Sequence, residues 1–336
     1  MKIINIIVGI LLIVGCSDDS VTNSQAASSE VAFVLCEGNM NSNNASLHTL
    51  SEDALSITTG DTGNSMAIYI NNLLVVNNGS SNIVIYTISS EGITEYASTI
   101  DLNGSGPREI LVIDDKAYVT QALAKNIAVI DLNTMEVINH IMLNGSPEDL
   151  ATDNTSLFVT IMYIDYNNGW DGSNLISQIN LTTSEIDTTY EVQTSPINIE
   201  YNNQKLYITS YSWSSIIDLS SKVVNTVNNV DGNYGNDITV YNNTVYRVYN
   251  KGIISMDDEL NLLEDTYIDA TTNNTIYSMS INSDLIYLGV TDDWQSPDSV
   301  FVLDFEGHEV SRYEVNGASP GSFVFWKSNQ LNINAN

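Results

Sequence analysis

One unit recurs along this chain every forty to fifty residues, and that repetition limits the fold more than any other feature. Each unit opens with a turn, often Gly or Ser followed by Pro. An apolar stretch comes next, then an Asn- or Asp-rich turn, then a β-rich triplet such as Tyr118-Val119-Thr120. A loop leads to a second run such as Ile127-Ala128-Val129-Ile130-Asp131, and a third such as Val137-Ile138-Asn139-His140-Ile141 closes the unit. The units start at Asn64, Pro107, Pro147, Pro196, Gly235, Ile276 and Pro320, with spacings of 43, 40, 49, 39, 41 and 44 residues. A period near 40–45 residues with four short strands per unit predicts a β-propeller. Helical repeats of similar length are excluded, because Val, Ile, Thr and Tyr alternate at period two and no long 3.6-residue pattern occurs.

The two ends of the repeat complement each other. Residues 31–58 supply three strands with no inner strand before them, and Pro320-Gly321-Ser322-Phe323-Val324-Phe325-Trp326 reads as an inner strand with nothing after it. Joined, they make one blade and leave no open sheet edge. The expected architecture is all-β: a seven-bladed β-propeller over 31–327, its last strand closing the first blade, followed by a tail over 328–336. Radial repetition also explains how about 300 residues form one domain when most single cores stop growing near that size.

Charge narrows the function. Ten Lys and Arg stand against 41 Asp and Glu, a formal charge of −31. Nucleic-acid affinity comes largely from Lys and Arg displacing counterions, so this chain is a poor partner for phosphate backbones. Two cysteines cannot build a disulfide scaffold, a four-thiolate zinc site or an iron–sulfur cluster. Three scattered histidines, His48, His140 and His308, leave little for a His-rich metal centre. A hydrophobic content of 43% still supports a full core, so the acidity does not signal disorder.

The N-terminus predicts a location. Met1-Lys2 precedes an apolar run from Ile3 to Val14, too short for the roughly 18–20 residues that span a bilayer. Leu12-Ile13-Val14-Gly15-Cys16 resembles a bacterial lipobox. Residues 1–15 are then a lipoprotein signal peptide, and 16–30 a flexible tether from a lipidated Cys16. Acyl chains on Cys16 would hold the protein on the outer membrane. Ser17-Asp18-Asp19 looks like the acidic tract of surface-exported lipoproteins, with a periplasm-facing position as the alternative. Cys36, in the strand-like run Val31 to Cys36, reads as a small buried hydrophobe.

Tyr118-Val119-Thr120-Gln121, with Asn126 to Asp131 and Gly145-Ser146-Pro147, resembles the seven-bladed YVTN/YncE-like propellers. Variants recur at Phe158-Val159-Thr160 and Tyr207-Ile208-Thr209. The opening Phe33-Val34-Leu35-Cys36-Glu37-Gly38-Asn39 with Asn44-Ala45-Ser46-Leu47 is similar to surface propeller lipoproteins beside TonB-dependent transporters, including vitamin B12-binding ones. This resemblance implies a class of task, ligand capture for a transporter, rather than a particular molecule.

In a propeller, loops between the second and third strands share a face with the connections between blades. The loops are expected at Glu37–Asn44, Asn77–Asn82, Gln121–Asn126, Met162–Asn174, Ser210–Ser214, Tyr249–Gly252 and Thr291–Ser299. Three are rich in aromatics: Tyr163, Tyr166 and Trp170; Tyr211 and Trp213; and Trp294. Turn chemistry does not require tryptophan, whereas binding surfaces use its large area and polar handle. The competing reading packs these rings back over blade edges. Two residues after each unit start lie Met66, Glu109, Asp149, Asn198, Asp237, Ser278 and Ser322, expected around the mouth of a central channel, with Arg108 and Glu148 one position earlier. This polar ring is open to two uses, a ligand site or a solvated channel whose acids cap backbone amides. Glu37, Asn39, Asn78, Gln121 and Tyr249 complete the expected ligand-binding set on this face. Asp165, Asn167 and Asp171 alternate as calcium ligands do, but Gly169 occupies a ligand position and no bidentate Glu follows. No cofactor is assigned, and the loop stands as a partial calcium pattern.

No Gly-x-Ser-x-Gly elbow, phosphate loop or HExxH occurs, and no catalytic set is assigned. The leading expectation is a non-enzymatic surface propeller that captures a small molecule, with a corrinoid as first candidate, for a TonB-dependent transporter. The alternative is a protein-interaction or adhesion scaffold using the same face.

Overall fold

A computed structural model describes residues 30–328 apart from 52–54, 90, 91, 93, 229–236, 271 and 273. The expected signal peptide, Cys16, the tether up to residue 29, the unit start at Gly235 and the tail beyond 328 lie outside these residues. The described residues form seven four-stranded antiparallel sheets, each a blade, arranged as a β-propeller. The inner strands are Gly63–Tyr69, Pro107–Ile113, Ser146–Thr152, Asn198–Asn202, Ile238–Tyr241, Thr275–Asn282 and Pro320–Lys327, for blades 1 to 7 in turn. One short 3-10 turn, Glu264–Thr266, is the only helical element among the described residues.

Blade 7 is the composite one. Pro320–Lys327 pairs with Glu30–Cys36, which continues into Ala45–Thr49 and Ser56–Gly60. Lys327 Nζ lies 2.9 Å from Glu30 Oε2, so an ion pair fastens the two ends of the ring. Gly289, on the second strand of blade 6, permits the next blade to close in: a Cβ there would sit 2.1 Å from the Pro320 carbonyl oxygen.

Local chemistry explains the blades. The first hairpins of blades 4 and 5 have two-residue turns, Asn203-Gln204 and Asn242-Asn243, with all four φ angles between 48° and 64°. Such turns match the twist of the flanking strands and favour Asn. Apolar residues of adjacent blades meet in shared cores: Leu74, Val76, Ile83 and Ile85 of blade 1 pack with Ile110, Val119, Ala128 and Ile130 of blade 2. Fully burying each such side chain contributes about 1.5–3 kcal/mol.

The threonine of the Tyr-Val-Thr triplet ties blades together. Thr120 Oγ1 donates to the Glu148 carbonyl of the next blade at 2.8 Å, and accepts from the Glu109 amide of its own blade at 2.8 Å. Thr160 repeats this with the Ile197 carbonyl, at 2.9 Å, and the Asp149 amide, at 2.8 Å. Recurrence of this residue therefore has a geometric cause: one hydroxyl bridges three strands. Cys36 is buried, and desolvation pushes its thiol pKa up.

Candidate functional site

All seven inner strands start at one end of the ring, where the interblade connections arrive. There the central channel opens into a funnel of about 890 Å³. Its wall holds two hydrogen-bonded pairs that interact electrostatically. Arg108 Nε donates to Glu148 Oε1 at 2.9 Å, with Nη2 closing on the same oxygen, and Tyr277 donates its hydroxyl proton to Glu37 Oε1. Burial raises the Glu37 pKa, partly offset by Tyr277 and Arg108. Burial opposes the Arg108 charge, but the adjoining Glu148 more than compensates, so its pKa is raised overall. Trp294 stands edge-on to Tyr277, with ring centroids 5.1 Å apart and planes at 89°.

Deeper in the funnel are Glu109, Asp149, Glu200 and Asp237. Burial pushes Glu109 to about 7, Glu200 to about 8 and Asp237 to about 6, and holds Asp149 well above the ordinary carboxyl range. Neighbouring acids add to the effect for Glu109, Asp149 and Glu200. The two aspartates serve the ring itself. Asp149 accepts from Leu150 N and from Ile199 N of blade 4, both at 2.7 Å. Asp237 accepts from Ile238 N at 2.9 Å and from Met279 N of blade 6 at 2.8 Å. The glutamates are less engaged. Glu109 accepts from Ser65 of blade 1 at 2.5 Å and from the Ile110 amide, while Glu200 accepts no hydrogen bond from the described residues. Chemically, this arrangement can hold positive charge, accept hydrogen bonds and exchange protons near neutral pH.

Of the residues expected on this face, the funnel gathers Glu37, Arg108, Glu109, Asp149, Asn198, Tyr211, Asp237 and Trp294. Tyr163, Tyr166 and Trp170 form a separate cluster on the long loop of blade 3, with centroids 5.1–5.6 Å apart. Burial, then the nearby Tyr211 and Glu148, push Tyr163 up to about 12, which sets this cluster beside the funnel.

Other expected residues sit elsewhere. Trp213 is 3% exposed and packs in the blade 3–4 core, its indole N–H donating to the Thr194 carbonyl at 3.0 Å. Gln121 is buried and donates to Ser105 Oγ at 2.8 Å. Asn78 reaches the Pro107 carbonyl at 3.0 Å, Asn39 reaches the Gln295 carbonyl at 3.2 Å, and Tyr249 packs edge-on against Tyr267. Met66 lies in the core shared with blade 7, because the register shifts between Gly63 and Ser65 and turns Asn64 toward the funnel instead. Ser278 and Ser322 do line the funnel, Ser278 with little exposure because its hydroxyl donates to the Pro320 carbonyl at 2.5 Å.

The calcium-like loop uses its oxygens internally. Asp165 pairs with Lys125 Nζ at 2.7 Å and accepts from Asn168 Nδ2 at 2.7 Å, contacts that lower its pKa to about 2. Asn167 Nδ2 donates to the Leu123 carbonyl at 2.9 Å. Among the described residues no three His, Cys, Asp or Glu side chains gather as metal ligands.

Tyr277 and Glu200 are among the funnel residues that escaped the sequence reading. Tyr277 follows Ile276 by one, the register that Arg108 and Glu148 occupy in their own blades, so extending that position around the ring finds it. Glu200 lies two residues below Asn198 on the same strand, and period two places both toward the channel.

No family model and no curated protein matches the chain in sequence. Solved structures do match in shape. A protein from Lactobacillus plantarum aligns with TM-score 0.67 and 11% identity, over 89% of this chain and 99% of its own. A provisionally named 6-phosphogluconolactonase from Bacteroides fragilis gives 0.66 and 13%, covering 92% and 100%. Virginiamycin B lyase from Staphylococcus aureus, crystallised with quinupristin, gives 0.60 and 14%, covering 88% and 96%. The likeness is one of fold. Identities this low carry no activity across.

Proposed function

We propose that this protein is a non-enzymatic capture propeller that binds a small molecule in the funnel at the mouth of its channel. The observation that carries this reading is the convergence there of polar groups from all seven blades with Tyr211, Tyr277 and Trp294 around one cavity of about 890 Å³. Concave sites with aromatic walls and a few placed polar groups are the usual form of ligand pockets. None of the histidines lines the funnel: His48 is buried against Ser46, His308 is bonded to Asp304, and His140 lies on an outer strand. That distribution favours binding over acid–base turnover by histidine.

Topology supports presentation at a surface. The strand Glu30–Cys36 begins at the end opposite the funnel and rises to it, delivering Glu37 to the mouth. A tether from a lipidated Cys16 would therefore attach below, leaving the funnel facing outward, as delivery to a TonB-dependent transporter at the outer membrane requires. A corrinoid remains the first candidate, because a broad macrocycle suits the aromatic wall. Calorimetry on the full chain with cobamides, haem, oligosaccharides and amines tests the reading. Saturable one-to-one binding that weakens at least tenfold in Tyr211→Ala or Trp294→Ala supports it. Absence of binding across the panel overturns it.

A second reading rests on the Tyr163–Tyr166–Trp170 cluster, whose Trp170 is 71% exposed. An exposed aromatic knob of this kind suits a protein partner. A stoichiometric partner recovered from envelope extracts, lost in Trp170→Ala, would favour the scaffold role.

A further inference from the structure

We infer that the ligand of this funnel is an organic amine carrying N–H donors and positive charge. The inference rests on the capture reading and names its ligand class, putting an amine in the place of the corrinoid. It follows from which atoms of the funnel the protein leaves unused.

The short and long acids divide the work. Asp149 and Asp237 have both carboxylate oxygens bonded to backbone amides. Glu37 and Glu148 each have only one oxygen engaged, by Tyr277 and by Arg108, and Glu200 engages neither. Asn64 adds an independent signal. It lines the same cavity, and its Oδ1 is a buried acceptor with no hydrogen-bond partner. Leaving a buried acceptor unpaired is costly, so a donor-bearing ligand that turns the Asn64 amide into the cavity recovers that loss. The unused carboxyl oxygens of Glu37, Glu148 and Glu200 are acceptors once ionised, and the remaining N–H groups of Arg108 are the competing donors of the same wall.

Charge selects further among donor-bearing ligands. Arg108 is the one cation lining the funnel among the described residues, and Glu148 holds its Nε and Nη2 on a single oxygen. Its charge is thereby divided between Glu148 and, at longer range, Glu37, while Glu200 has only acids as charged neighbours. The faces of Tyr277, Trp294 and Tyr211 attract a cation through their ring quadrupoles. A quaternary ammonium would meet the rings but leave the carboxylates and Asn64 without donors. A neutral alcohol would meet the acceptors but not the charge. An ammonium or guanidinium group meets both.

The experiment is calorimetric titration of the full chain with spermidine, benzylamine, benzyltrimethylammonium, benzyl alcohol and phenylacetate. The expected order has spermidine and benzylamine tightest, benzyltrimethylammonium weaker, benzyl alcohol weaker still and phenylacetate without binding. Glu200→Gln should weaken spermidine about tenfold, and Arg108→Gln should tighten it severalfold by removing the competing cation. Asp218→Asn, far out on blade 4, should change nothing, which separates the funnel from general attraction to an acidic surface. Equal loss in Asp218→Asn and Glu200→Gln overturns the inference. Tighter binding of benzyl alcohol or phenylacetate, sensitive to Tyr211→Ala, also overturns it but preserves the capture reading. If nothing binds, including the wider panel above, both fail.

Discussion

Blade 3 and blade 4 each place a tryptophan between their second and third strands, and the two residues do opposite things. Trp170 sits in a gap spanning Ile164 to Asp171 and is 71% exposed, touching only its loop neighbours Tyr163 and Tyr166 among aromatics. Trp213 sits in a gap from Ser210 to Trp213 and is 3% exposed in the core. The difference is reach. The short turn closes on itself, with Ser210 N bonded to Trp213 O at 3.0 Å, so the indole can only fold back over the blade interface. The longer loop carries its ring beyond the sheet. Aromatic content alone does not mark a binding loop; aromatic content on a loop longer than its turn requires is the better signal.

Trp213→Ala should give the largest effect. It removes a ring packed against Phe158, Tyr190, Ile199 and Ile208 and strands the Thr194 carbonyl. A loss of about 3–5 kcal/mol is expected, the range for large-to-small changes in cores. Chemical denaturation measures it, and a loss under about 1 kcal/mol would erase the contrast between the two loops.

The acids of the channel offer the same kind of contrast one level down. Asp149→Ala leaves the amides of Leu150 and Ile199 without their acceptor. About 2–3 kcal/mol of destabilisation is expected from two such groups, seen as a lower denaturation midpoint. Glu200→Gln should act in the other direction, and only at high pH. Burial raises Glu200 from 4.5 to about 8, so the folded chain holds a proton that the unfolded chain has released across that window. Stability therefore falls as pH rises from about 4.5 through 8, with Glu109 and Asp237 adding to the slope. Asp165 and Asp218 have depressed values near 2, so their contribution is present above the ordinary aspartate range and is lost as pH falls through about 2. Greatest thermal stability is expected near pH 4–5, with a midpoint about 3–6 °C lower at pH 8.5. Glu200→Gln should recover part of that drop at pH 8.5 and change little at pH 5. An equal shift at both values would mean that Glu200 is not buried as a proton-holding group.

The fold was legible because its determinants are local and repeated. Seven inner strands begin within three residues of the unit starts, and the composite blade joins Glu30–Cys36 to Pro320–Lys327 as the two ends implied. The second-to-third loops also fall where the strand pattern puts them. The site was half legible. Arg108, Glu109, Asp149 and Asp237 could be placed at the channel by register, yet register does not say whether an acid binds a ligand or an amide. Side-chain length decides that: the two funnel aspartates reach only the adjacent backbone, whereas Glu37 and Glu200 extend past it. Met66 shows the other limit, since one register shift at Gly63 to Ser65 exchanges which residue faces inward. Such a shift has no local sequence signature.

Trp170→Ala should have the smallest effect on stability and for that reason is the sharpest test of the opening contrast. Surface changes away from caps, cores and buried networks usually stay within about 0.5 kcal/mol. Trp170 makes no hydrogen bond within the described residues and belongs to none of the blade cores. A ring that large, exposed and outside every core contributes little to folding, so its expected consequence is in binding. Funnel ligands that extend over the blade 3 rim should weaken severalfold in Trp170→Ala, while spermidine, short enough to remain among Glu37, Glu148 and Glu200, should bind as before. Side-by-side titration of one long and one short ligand, with denaturation of the same protein, reads both quantities at once. Stability loss above about 1 kcal/mol would place Trp170 with Trp213, and equal weakening of both ligands would move the rim cluster into the funnel itself.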